Sequence, residues 1–309
     1  MCYDCNIVTP VTSFYHYREL LSRKESKMRY VLYNLHAGHG TDEEKLAKIK
    51  STYKDECSLV DMTEIPSYAD FFGGLTDEDS VILCGGDGTL NRFVNDTAGI
   101  DIKNEIFYAP HGTGNDFIKD IGICDEEIPL KKYIENLPTV EVEGNTYRFL
   151  NNVGFGIDGY CCEVGDAMKA AGKTDINYAA IAIKGLLFHF KPANATVTVD
   201  GVKHEYKKVW IAPTMNGRFY GGGMMPTPEQ DRLAEDGMLS IMVWHGSGKI
   251  KTLMAFPSLF KGEHLKYTKM IDILQGHEIT VEFDAPCALQ IDGETMLGVR
   301  RYTARSWKK

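Results

Sequence analysis

The alternation of apolar and polar residues changes character near residue 138. Before that point, short apolar runs typical of buried strands alternate with stretches of helical character, and the apolar runs are RYVLYN, SLVDM, SVILCG and EIFYAP. Helices are predicted between them over TDEEKLAKIKSTY, with Thr41 as the N-cap, and over residues 67–75 and 89–98. This alternation predicts an α/β layer structure with a parallel sheet over residues 29–138.

Beyond residue 138, segments such as TVEVEGNTYRF and ATVTVDGVKHEY alternate apolar and polar positions around EG and DG turns. This pattern is typical of antiparallel hairpins and predicts a β-rich domain over residues 139–294. Helical stretches interrupt the pattern at residues 177–190 and 249–261. Residues 1–28 lack a clear period and are interpreted as an N-terminal appendage, and residues 295–309 are expected to pack back on the first domain.

Composition and charge narrow the range of functions. The chain has 309 residues, 43% of them hydrophobic, and a formal net charge of −9, which argues against nucleic acid as a partner. The charge is uneven, because about 9 basic and 23 acidic residues lie between Gly40 and Glu143, and the rest of the chain is therefore basic. No apolar run reaches the ~20 residues of a membrane span, and no secretory signal is evident, so we expect a cytoplasmic protein with reduced cysteines.

A glycine-rich segment, Gly85-Gly86-Asp87-Gly88-Thr89, stands between the predicted strand SVILC and the predicted helix LNRFVND. Glycines at such a turn let the backbone approach a phosphate group, and the N–H groups at the start of the helix bind anions. Asp87 would repel phosphate unless it held a metal ion or accepted a proton, so the loop favours Mg²⁺-dependent phosphoryl transfer. The alternative is a tight turn in which Asp87 caps the helix.

A second loop, PHGTGND at residues 110–116, follows the strand EIFYA and precedes the helix DFIKDIG. It repeats the same design, with glycines, the hydroxyl group of Thr113 and then an acid at a helix start. Taken alone, Asn115-Asp116 favours a helix cap. Because the carboxyl ends of parallel strands meet at one edge of a sheet, the two loops together predict a ligand crevice there.

The motifs GGDGTLN, PHGTGNDF and FLNNVGFGIDG, followed by GRFYGGGMMPTPEQDRLAEDGML and QIDGE, resemble the diacylglycerol kinase catalytic domain family. The resemblance is to the small soluble bacterial lipid kinases, with sphingosine and ceramide kinases as relatives, and it covers about residues 29–305. It implies a Rossmann-like nucleotide-binding domain of NAD-kinase/diacylglycerol-kinase type, followed by a mainly antiparallel β-sandwich that receives lipid. The GGDGT loop alone would also suit NAD kinases.

The resemblance implies a set of residues that bind ATP. Asn34 and Gly38 match a loop after the first strand, in which Leu35 replaces the proline of the family, and Thr63 matches a hydroxyl after the second strand. Arg92 stands where the family often has Glu, with a helix-surface arginine as the plain alternative. The other members come from the two glycine-rich loops and are Gly85, Gly86, Asp87, Gly88, Thr89, Leu90, Asn91, Thr113, Asn115 and Asp116.

For catalysis, the resemblance points to Asp292-Gly293-Glu294. Because a lipid hydroxyl is a weak nucleophile, a carboxylate must accept its proton, and Glu294 is assigned as that base, with Asp292 in the catalytic set. Asp87 remains the rival base, since the related sphingosine kinases look as though they use the equivalent aspartate. On spacing alone, Asp292-Gly293 is a hairpin turn.

The resemblance also implies two magnesium sites. Asp87 and Asp116 look like the carboxylates that hold Mg²⁺ near the phosphates. Leu233, Asp236 and Met238 resemble a second, structural Mg²⁺ site of the bacterial members, built from one carboxylate and backbone carbonyl oxygens, which hard cations accept. By itself, this segment is a solvated turn.

The helical stretches at residues 177–190 and 249–261 carry apolar residues flanked by lysines. This pattern suits contact with anionic lipid, and core packing explains its apolar members equally well. We therefore expect ATP and Mg²⁺ as cofactors, a diacylglycerol-like lipid substrate at a membrane surface, and transient peripheral contact with the inner face of the membrane. Formation of a homodimer is left open.

Two other functions stay open from the sequence. One is a soluble-substrate kinase of NAD-kinase type, which would share the GGDGT loop. The other is a non-catalytic nucleotide-binding regulatory module, in which Leu35 and Arg92 would mark a degraded site. The presence of Asp87, Asp116 and Glu294 together weighs against the second. The sequence leaves the identity of the lipid open.

Overall fold

The computed structural model describes residues 27–35, 42–53, 57–111, 115–123, 125–173 and 176–308. Residues 1–26 of the predicted appendage and the predicted N-cap Thr41 lie outside the described residues. Gly38 and Thr113 of the predicted nucleotide site also lie outside them.

Five strands form the first sheet. They are β1 (Arg29–Tyr33), β2 (Cys57–Asp61), β3 (Ser80–Gly85), β4 (Glu105–Pro110) and β5 (Ile128–Pro129). Their order is β2-β1-β3-β4-β5. The first four strands run parallel, whereas β5 is antiparallel to β4. The predicted parallel sheet is therefore confirmed, with one short antiparallel strand added at its edge.

Helices pack on both faces of this sheet. They are α1 (Asp42–Tyr53), α2 (Tyr68–Gly73), α3 (Asp87–Asp96), α4 (Asp116–Ile121) and α5 (Lys131–Ile134). Successive strand residues point to opposite faces, so Leu32 and Leu83 pack against α2 to α5, while Val31 and Ile82 pack against α1. The predicted helices are confirmed, and continuous apolar strands such as SVILCG follow from burial on both faces.

Among the described residues, ten strands form the second sheet, and all their pairings are antiparallel. They are β6 (Thr139–Val142), β7 (Asn145–Arg148), β8 (Asn152–Gly156), β9 (Ala193–Val199), β10 (Val202–Val209), β11 (Ile211–Met215), β12 (Leu239–Trp244), β13 (Ile271–Gly276), β14 (Glu278–Ile291) and β15 (Glu294–Arg305). Their order is β13-β12-β11-β8-β14-β15-β6-β7, and β9 pairs with both β10 and β14.

Strand β14 connects the two layers of this domain. Its first part, residues 279–283, pairs with β9, and its last part, residues 289–291, pairs with β8. The register against β15 shifts between residues 282 and 287, and such a bulge lets a long strand bend from one layer to the other. The layers enclose an apolar core that includes Phe155. The predicted β-sandwich is confirmed.

The last strand corrects one prediction. Residues 295–309 were expected to pack on the first domain, but β15 pairs with β14 and β6 of the second sheet. Its residues Tyr302 and Ala304 are buried in the sandwich core. For the described residues, that prediction is wrong, because β15 continues the hairpin that begins at Asp292 and its alternating apolar residues complete the sandwich.

A layer of helices covers the outer face of β11 and β12. It consists of α6 (Ile157–Ala170), α7 (Tyr178–Lys184), a π-helix (Gly185–His189), α8 (Lys249–Ala255) and 3₁₀ helices (Phe256–Lys261 and Glu263–Lys266). Leu186 and Leu259 pack there against Trp244 in a second core. The helical stretches predicted at 177–190 and 249–261 are confirmed.

Helix α6 was not predicted. Gly159 and Gly165 break up its apolar pattern, and these glycines, like Gly156 just before the helix, are needed for close packing. A Cβ atom on Gly159 would lie 2.1 Å from the carbonyl oxygen of Ala288. Among the described residues, no helix combines the length and apolar character needed to span a membrane.

Candidate active site

The predicted nucleotide residues lie along one edge of the first sheet, where its parallel strands end. Asn34 follows β1 and Thr63 follows β2, and the second glycine-rich loop, which contains Asn115, follows β4. The N–H and Oγ1 of Thr63 donate to Asp61 Oδ1 over 2.8 and 2.7 Å. Ligands of open α/β sheets bind at this edge, so the predicted residues that the structure describes lie where a ligand is expected.

The GGDGT loop connects β3 directly to α3. A Cβ atom on Gly85 would lie 2.5 Å from Thr89 Cβ, so only glycine fits there without a shift, while a Cβ atom on Gly88 would meet nothing within 4 Å. Thr89 Oγ1 is buried and has no hydrogen-bond partner among the described residues. The first N–H groups of α3 have no acceptor within the helix, so this loop offers donors to an anion.

The next two residues of α3 point into the protein. Leu90 is fully buried in the first core, so only its backbone can face a ligand. Asn91 is buried, and its Nδ2 donates to Asp292 Oδ2 over 2.7 Å. Arg92 lies on the outer side of the helix, where its Nε is 3.2 Å from Asp96 Oδ2, as the helix-surface alternative expected.

Asp87 connects the two glycine-rich loops. Its Oδ2 accepts the N–H of Asp116 over 2.7 Å, and its Oδ1 accepts the N–H of Phe117 over 3.4 Å. Asp87 therefore caps α4, the helix after the second loop, rather than its own helix α3. The second loop in turn contacts the β-rich domain, because Asp116 Oδ2 accepts the N–H of Gly222 over 2.7 Å.

The environment of these two acids disfavours negative charge. Burial raises the pKa of Asp87 to about 7, with a further contribution from the charge of Asp116. Burial also raises the pKa of Asp116, although Lys119 Nζ, 3.6 Å from Oδ1, opposes this shift. Asp116 Oδ1 accepts no hydrogen bond from the described residues. A cation at this point would compensate both carboxylates.

The Asp292-Gly293 turn joins β14 to β15 and places Ile291 opposite Glu294. Both turn residues have positive φ, 48° for Asp292 and 92° for Gly293, as a two-residue hairpin turn of type I′ requires. The hairpin interpretation of this segment is therefore confirmed. The same turn also lies against α3, through the bond from Asn91.

The carboxylate of Asp292 is fully engaged. Oδ1 accepts the N–H groups of Asn151 and Asn152 over 2.8 and 2.9 Å, and Oδ2 accepts Leu150 N–H over 2.6 Å and Asn91 Nδ2 over 2.7 Å. Burial raises its pKa, and these four donors oppose the shift. A carboxylate with four donors has no acceptor position left for a substrate proton. The geometry therefore suits Asp292 for holding the turn in place.

Glu294 is exposed at the first position of β15, and its carboxylate accepts no hydrogen bond from the described part of the chain. The next residue is anchored, because Thr295 Oγ1 donates to Asp166 Oδ2 of α6 over 2.7 Å. Glu294 thus combines a fixed backbone with an exposed carboxylate, two residues after the Asp292 that accepts the bond from Asn91 of α3.

Sequence reasoning missed a buried network behind the turn. Gln290 Oε1 accepts the N–H of Gly293 over 2.9 Å, and its Nε2 lies 3.2 Å from Asp158 Oδ2. Tyr220 OH lies 3.4 Å from the same oxygen, and burial raises the pKa of Asp158. Asp158 follows the GFG motif and Gln290 precedes the DG turn. Their proximity to these motifs is the feature of the sequence that could have pointed to the network.

An ion-pair cluster was also missed. Asp120 of α4 is buried and pairs with Arg218, at 2.9 Å from Nε, and with the buried Arg232. The Arg232 guanidinium lies over the ring of Phe117, 4.7 Å from its centroid, and its Nη2 donates to Asn151 Oδ1 over 2.9 Å. These contacts attach the segment before β12, which carries Gly222, to the first domain.

The predicted structural metal set occupies the same segment. Asp236 Oδ1 accepts the N–H of Met238 over 3.0 Å, and the carbonyl of Met238 accepts Gln230 Nε2 over 2.9 Å. Leu233 is half-exposed in the same loop. The described residues contain no group of three or more His, Cys, Asp or Glu that could hold a metal ion. The set Leu233, Asp236 and Met238 stays a prediction.

Residues 29–141 match the family model of the diacylglycerol kinase catalytic domain, and residues 151–303 match that of the YegS C-terminal NAD kinase beta sandwich-like domain. The chain therefore contains a diacylglycerol kinase catalytic domain, at residues 29–141. Residues 142–150, which lie between the two matches, contain β7 and Leu150, whose N–H group is one of the donors to Asp292.

Two curated proteins and one solved structure illustrate what the chain is similar to. A diacylglycerol kinase of Mycobacterium tuberculosis is 27% identical over 197 residues, which are 61% of this chain and 62% of that protein. The chain thus matches about three fifths of the length of this relative. A diacylglycerol kinase of Bacillus subtilis is 23% identical over 281 residues, 87% of this chain and 90% of that one. A diacylglycerol kinase crystal structure from Bacillus anthracis str. Sterne has the same fold, with a TM-score of 0.59, 21% identity and coverage of 92% and 96%.

Proposed function

We propose that the chain is a kinase that uses ATP and Mg²⁺ to phosphorylate the hydroxyl group of diacylglycerol or of a similar lipid. The observation that carries the proposal is a pair of hydrogen bonds: Asp87 is bonded to the N–H of Asp116, and α3, which begins at Asp87, is bonded through Asn91 to the turn before Glu294. The names of the relatives from M. tuberculosis and B. subtilis support a lipid acceptor. In this proposal, residues 29–138 bind the nucleotide, and the sandwich, extended through β15, binds the lipid.

The donor set at the edge of the first sheet fits a magnesium ion. Asp116 Oδ1 is buried and accepts no hydrogen bond from the described residues, and the raised pKa of Asp87 reflects a carboxylate that needs a compensating charge. Mg²⁺ in kinases is held by one or two carboxylates together with phosphate oxygens and water. Asp87 and Asp116 would hold it, and it would neutralise charge on the transferring phosphoryl group.

The remaining residues of the site then have distinct roles. The backbone N–H groups of Gly86, Gly88 and Thr89 bind phosphate oxygens at the start of α3. Glu294 takes the proton of the lipid hydroxyl as that oxygen forms its bond to the γ-phosphorus. The bond from the γ-phosphorus to the β–γ bridging oxygen breaks, and ADP leaves. Asp292 positions the turn.

Glu294 is preferred to Asp87 as the base because of what each carboxylate already contacts. Both oxygens of Asp87 accept backbone N–H groups, and Asp87 lies beside Asp116. The Glu294 carboxylate accepts no hydrogen bond from the described residues and is exposed. It is therefore available to a substrate hydroxyl. We also assign the protein to the cytoplasm, in transient contact with the inner face of the membrane.

Transfer of radiolabelled phosphate from ATP to lipids in mixed micelles tests the proposal. The panel should contain diacylglycerol, a sphingoid base, a polyprenol and phosphatidylglycerol, and labelling of one of them is the expected result. Labelling of a soluble acceptor such as NAD, without any lipid, would instead support a kinase of NAD-kinase type. If the chain binds ATP but transfers phosphate to none of these acceptors, the result would support a non-catalytic nucleotide-binding regulatory module.

A further inference from the structure

The outer side of the helical layer exposes a group of large apolar side chains. We call them the apolar face, and its members are Ile183, Phe188, Ile250, Met254 and Phe260. Phe188, Ile250 and Met254 are exposed by 71%, 73% and 78%. The elements that carry them are adjacent, because Lys249 Nζ at the start of α8 donates to the carbonyl of Leu187 in the π-helix over 2.9 Å.

The inner side of the same elements already satisfies the core. Ile181, Leu186 and Leu259 are buried there against Trp210 and Trp244. Packing of the domain therefore does not require the apolar face. Adjacent exposed apolar residues of this size mark an interaction surface more often than a free surface. Core packing therefore accounts for the inner side of these helices, and interfacial contact is left for their outer side.

The two segments that carry the apolar face are basic. Residues 176–192 and 246–262 contain no Asp or Glu. Their five lysines are all exposed, and they are Lys184, Lys191, Lys249, Lys251 and Lys261. Apolar side chains that project between lysines suit the headgroup region of an anionic bilayer, where the chains insert and the ammonium groups pair with phosphate.

The apolar face is also connected to the candidate active site. Tyr178 of α7 packs on α6 at Gly165, where an added Cβ atom would lie 2.7 Å from the tyrosine ring. One residue further on, Asp166 accepts the hydrogen bond from Thr295, the neighbour of Glu294. A single helix therefore separates the apolar face from the turn that carries the proposed base.

We propose that the apolar face and its lysines dock the chain on the surface of an anionic lipid bilayer. The proposal rests on the proposed function in its choice of a bilayer as the partner, since the substrate would be a bilayer lipid. Phe188, Ile250 and Met254 insert among the headgroups, and Lys184, Lys251 and Lys261 contact their phosphates.

Co-sedimentation of the full chain with vesicles tests this surface. One set of vesicles contains phosphatidylcholine alone, and the other contains equal parts of phosphatidylcholine and phosphatidylglycerol. We expect binding to the second set, weakened by salt. The variant Phe188→Ser/Ile250→Ser/Met254→Ser and the variant Lys184→Gln/Lys251→Gln/Lys261→Gln should each bind at least about tenfold more weakly.

A matched control uses exposed residues of the edge strands. Val202 and Lys203 lie on β10 and Ile273 lies on β13, outside the segments that carry the apolar face. Val202→Ser/Ile273→Ser and Lys203→Gln should bind vesicles like the wild-type chain. Because all the substituted side chains are exposed, every variant should keep the wild-type melting temperature, which excludes misfolding as the cause of lost binding.

Several results would overturn the proposal. In the first two, the wild-type chain fails to bind either set of vesicles, or the apolar variant binds them as well as the wild-type chain does. In a third result, the apolar variant loses a dimer in sedimentation velocity but keeps its vesicle binding. The last result would identify a second copy as the occupant. Vesicle binding is measured without ATP, so a chain that binds vesicles through this face but phosphorylates no lipid refutes the proposed function and leaves the docking surface intact.

Discussion

Asn91 Nδ2 donates to Asp292 Oδ2 over 2.7 Å, and this bond joins the phosphate-loop helix α3 to the hairpin that carries Glu294. The other three donors to Asp292 are backbone N–H groups of residues 150–152, at the start of β8. One carboxylate therefore collects donors from both domains. The relative position of the nucleotide loop and the proposed base depends on it.

Loss of the Asn91 side chain should loosen this junction. Asn91→Ala removes a buried hydrogen bond to a carboxylate, so we expect the free energy of unfolding to fall by roughly 1.5–3 kcal/mol. Urea denaturation measures the change. Asn145→Ala, at an exposed position of β7, serves as the control and should leave the midpoint within error. Equal midpoints for both variants would show that the junction contributes nothing.

Replacement of Glu294 should affect turnover rather than folding. Glu294→Gln removes a proton acceptor from an exposed position, so kcat should fall by roughly 10²- to 10⁴-fold while KM for ATP changes little. The matched control is Glu282→Gln, an exposed glutamate on the neighbouring strand β14. A normal kcat for Glu294→Gln would show that Glu294 is not the base, and Asp87 would then be the candidate.

Asp87 should make stability depend on pH. Because its pKa is raised from 3.8 to about 7 in the folded chain, the folded state binds more protons than the unfolded state between these values. Its contribution to stability is complete below pH 3.8 and is lost as the pH rises through about 7.

Asp87→Asn cannot ionise, so in EDTA its stability relative to the wild type should increase between pH 5 and pH 8. Addition of Mg²⁺ at pH 8 should stabilise the wild-type chain more than this variant, since the ion offsets the carboxylate charge. Thermal melting measures both effects. Asp101→Asn, an exposed substitution, should show neither. A pH profile that Asp87→Asn leaves unchanged would contradict the raised pKa.

The network behind the turn should position Glu294. Gln290→Met keeps the side-chain volume but removes the acceptor for Gly293 N–H and the donor to Asp158. A small displacement of a reacting group is costly, so kcat should fall by roughly 10- to 100-fold with unchanged KM for ATP. Gln275→Met, at an exposed position of β13, is the control. A purely structural role would lower the melting temperature and leave kcat per folded molecule unchanged.

The Asp120 cluster should contribute more to stability than surface pairs do. Asp120→Asn leaves the buried Arg232 without a counter-charge, so we expect a loss of about 3–5 kcal/mol. Glu141→Gln removes an exposed pair with Arg305 and should cost about 1 kcal/mol or less. Guanidinium denaturation of the two variants compares the effects. Similar losses would show that Asp120 does not anchor the segment with Gly222.

The sequence allowed prediction of elements whose pattern is local. Runs such as SVILCG gave the parallel strands, and Asp292-Gly293 gave the hairpin, because strand burial and turn geometry depend on adjacent residues. Helix α6 could not be predicted in the same way, since its glycines are explained by contacts with distant backbone such as Ala288.

The same distinction applies to the candidate site. The family resemblance implied that Asp87, Asp116 and Glu294 belong to one site, whereas spacing alone favoured a hairpin turn at Asp292-Gly293. The structure joins Asp87 to Asp116 by a hydrogen bond and α3 to the turn before Glu294 through Asn91. The partners of Asp292, Asp120 and Asp158 could not be predicted, because each lies on another element, far away in the chain. Position in the sequence identifies a chemically suitable residue but not the groups that orient it.

Asn91 and Asp292 are 201 positions apart, so their hydrogen bond can form only near the end of synthesis. During synthesis, the phosphate loop is complete long before the last hairpin leaves the ribosome. Contacts between such distant residues form slowly, since a long loop must close first. Recovery of activity during refolding should therefore lag behind recovery of the first domain, and a newly made chain would bind nucleotide before it can transfer a phosphoryl group.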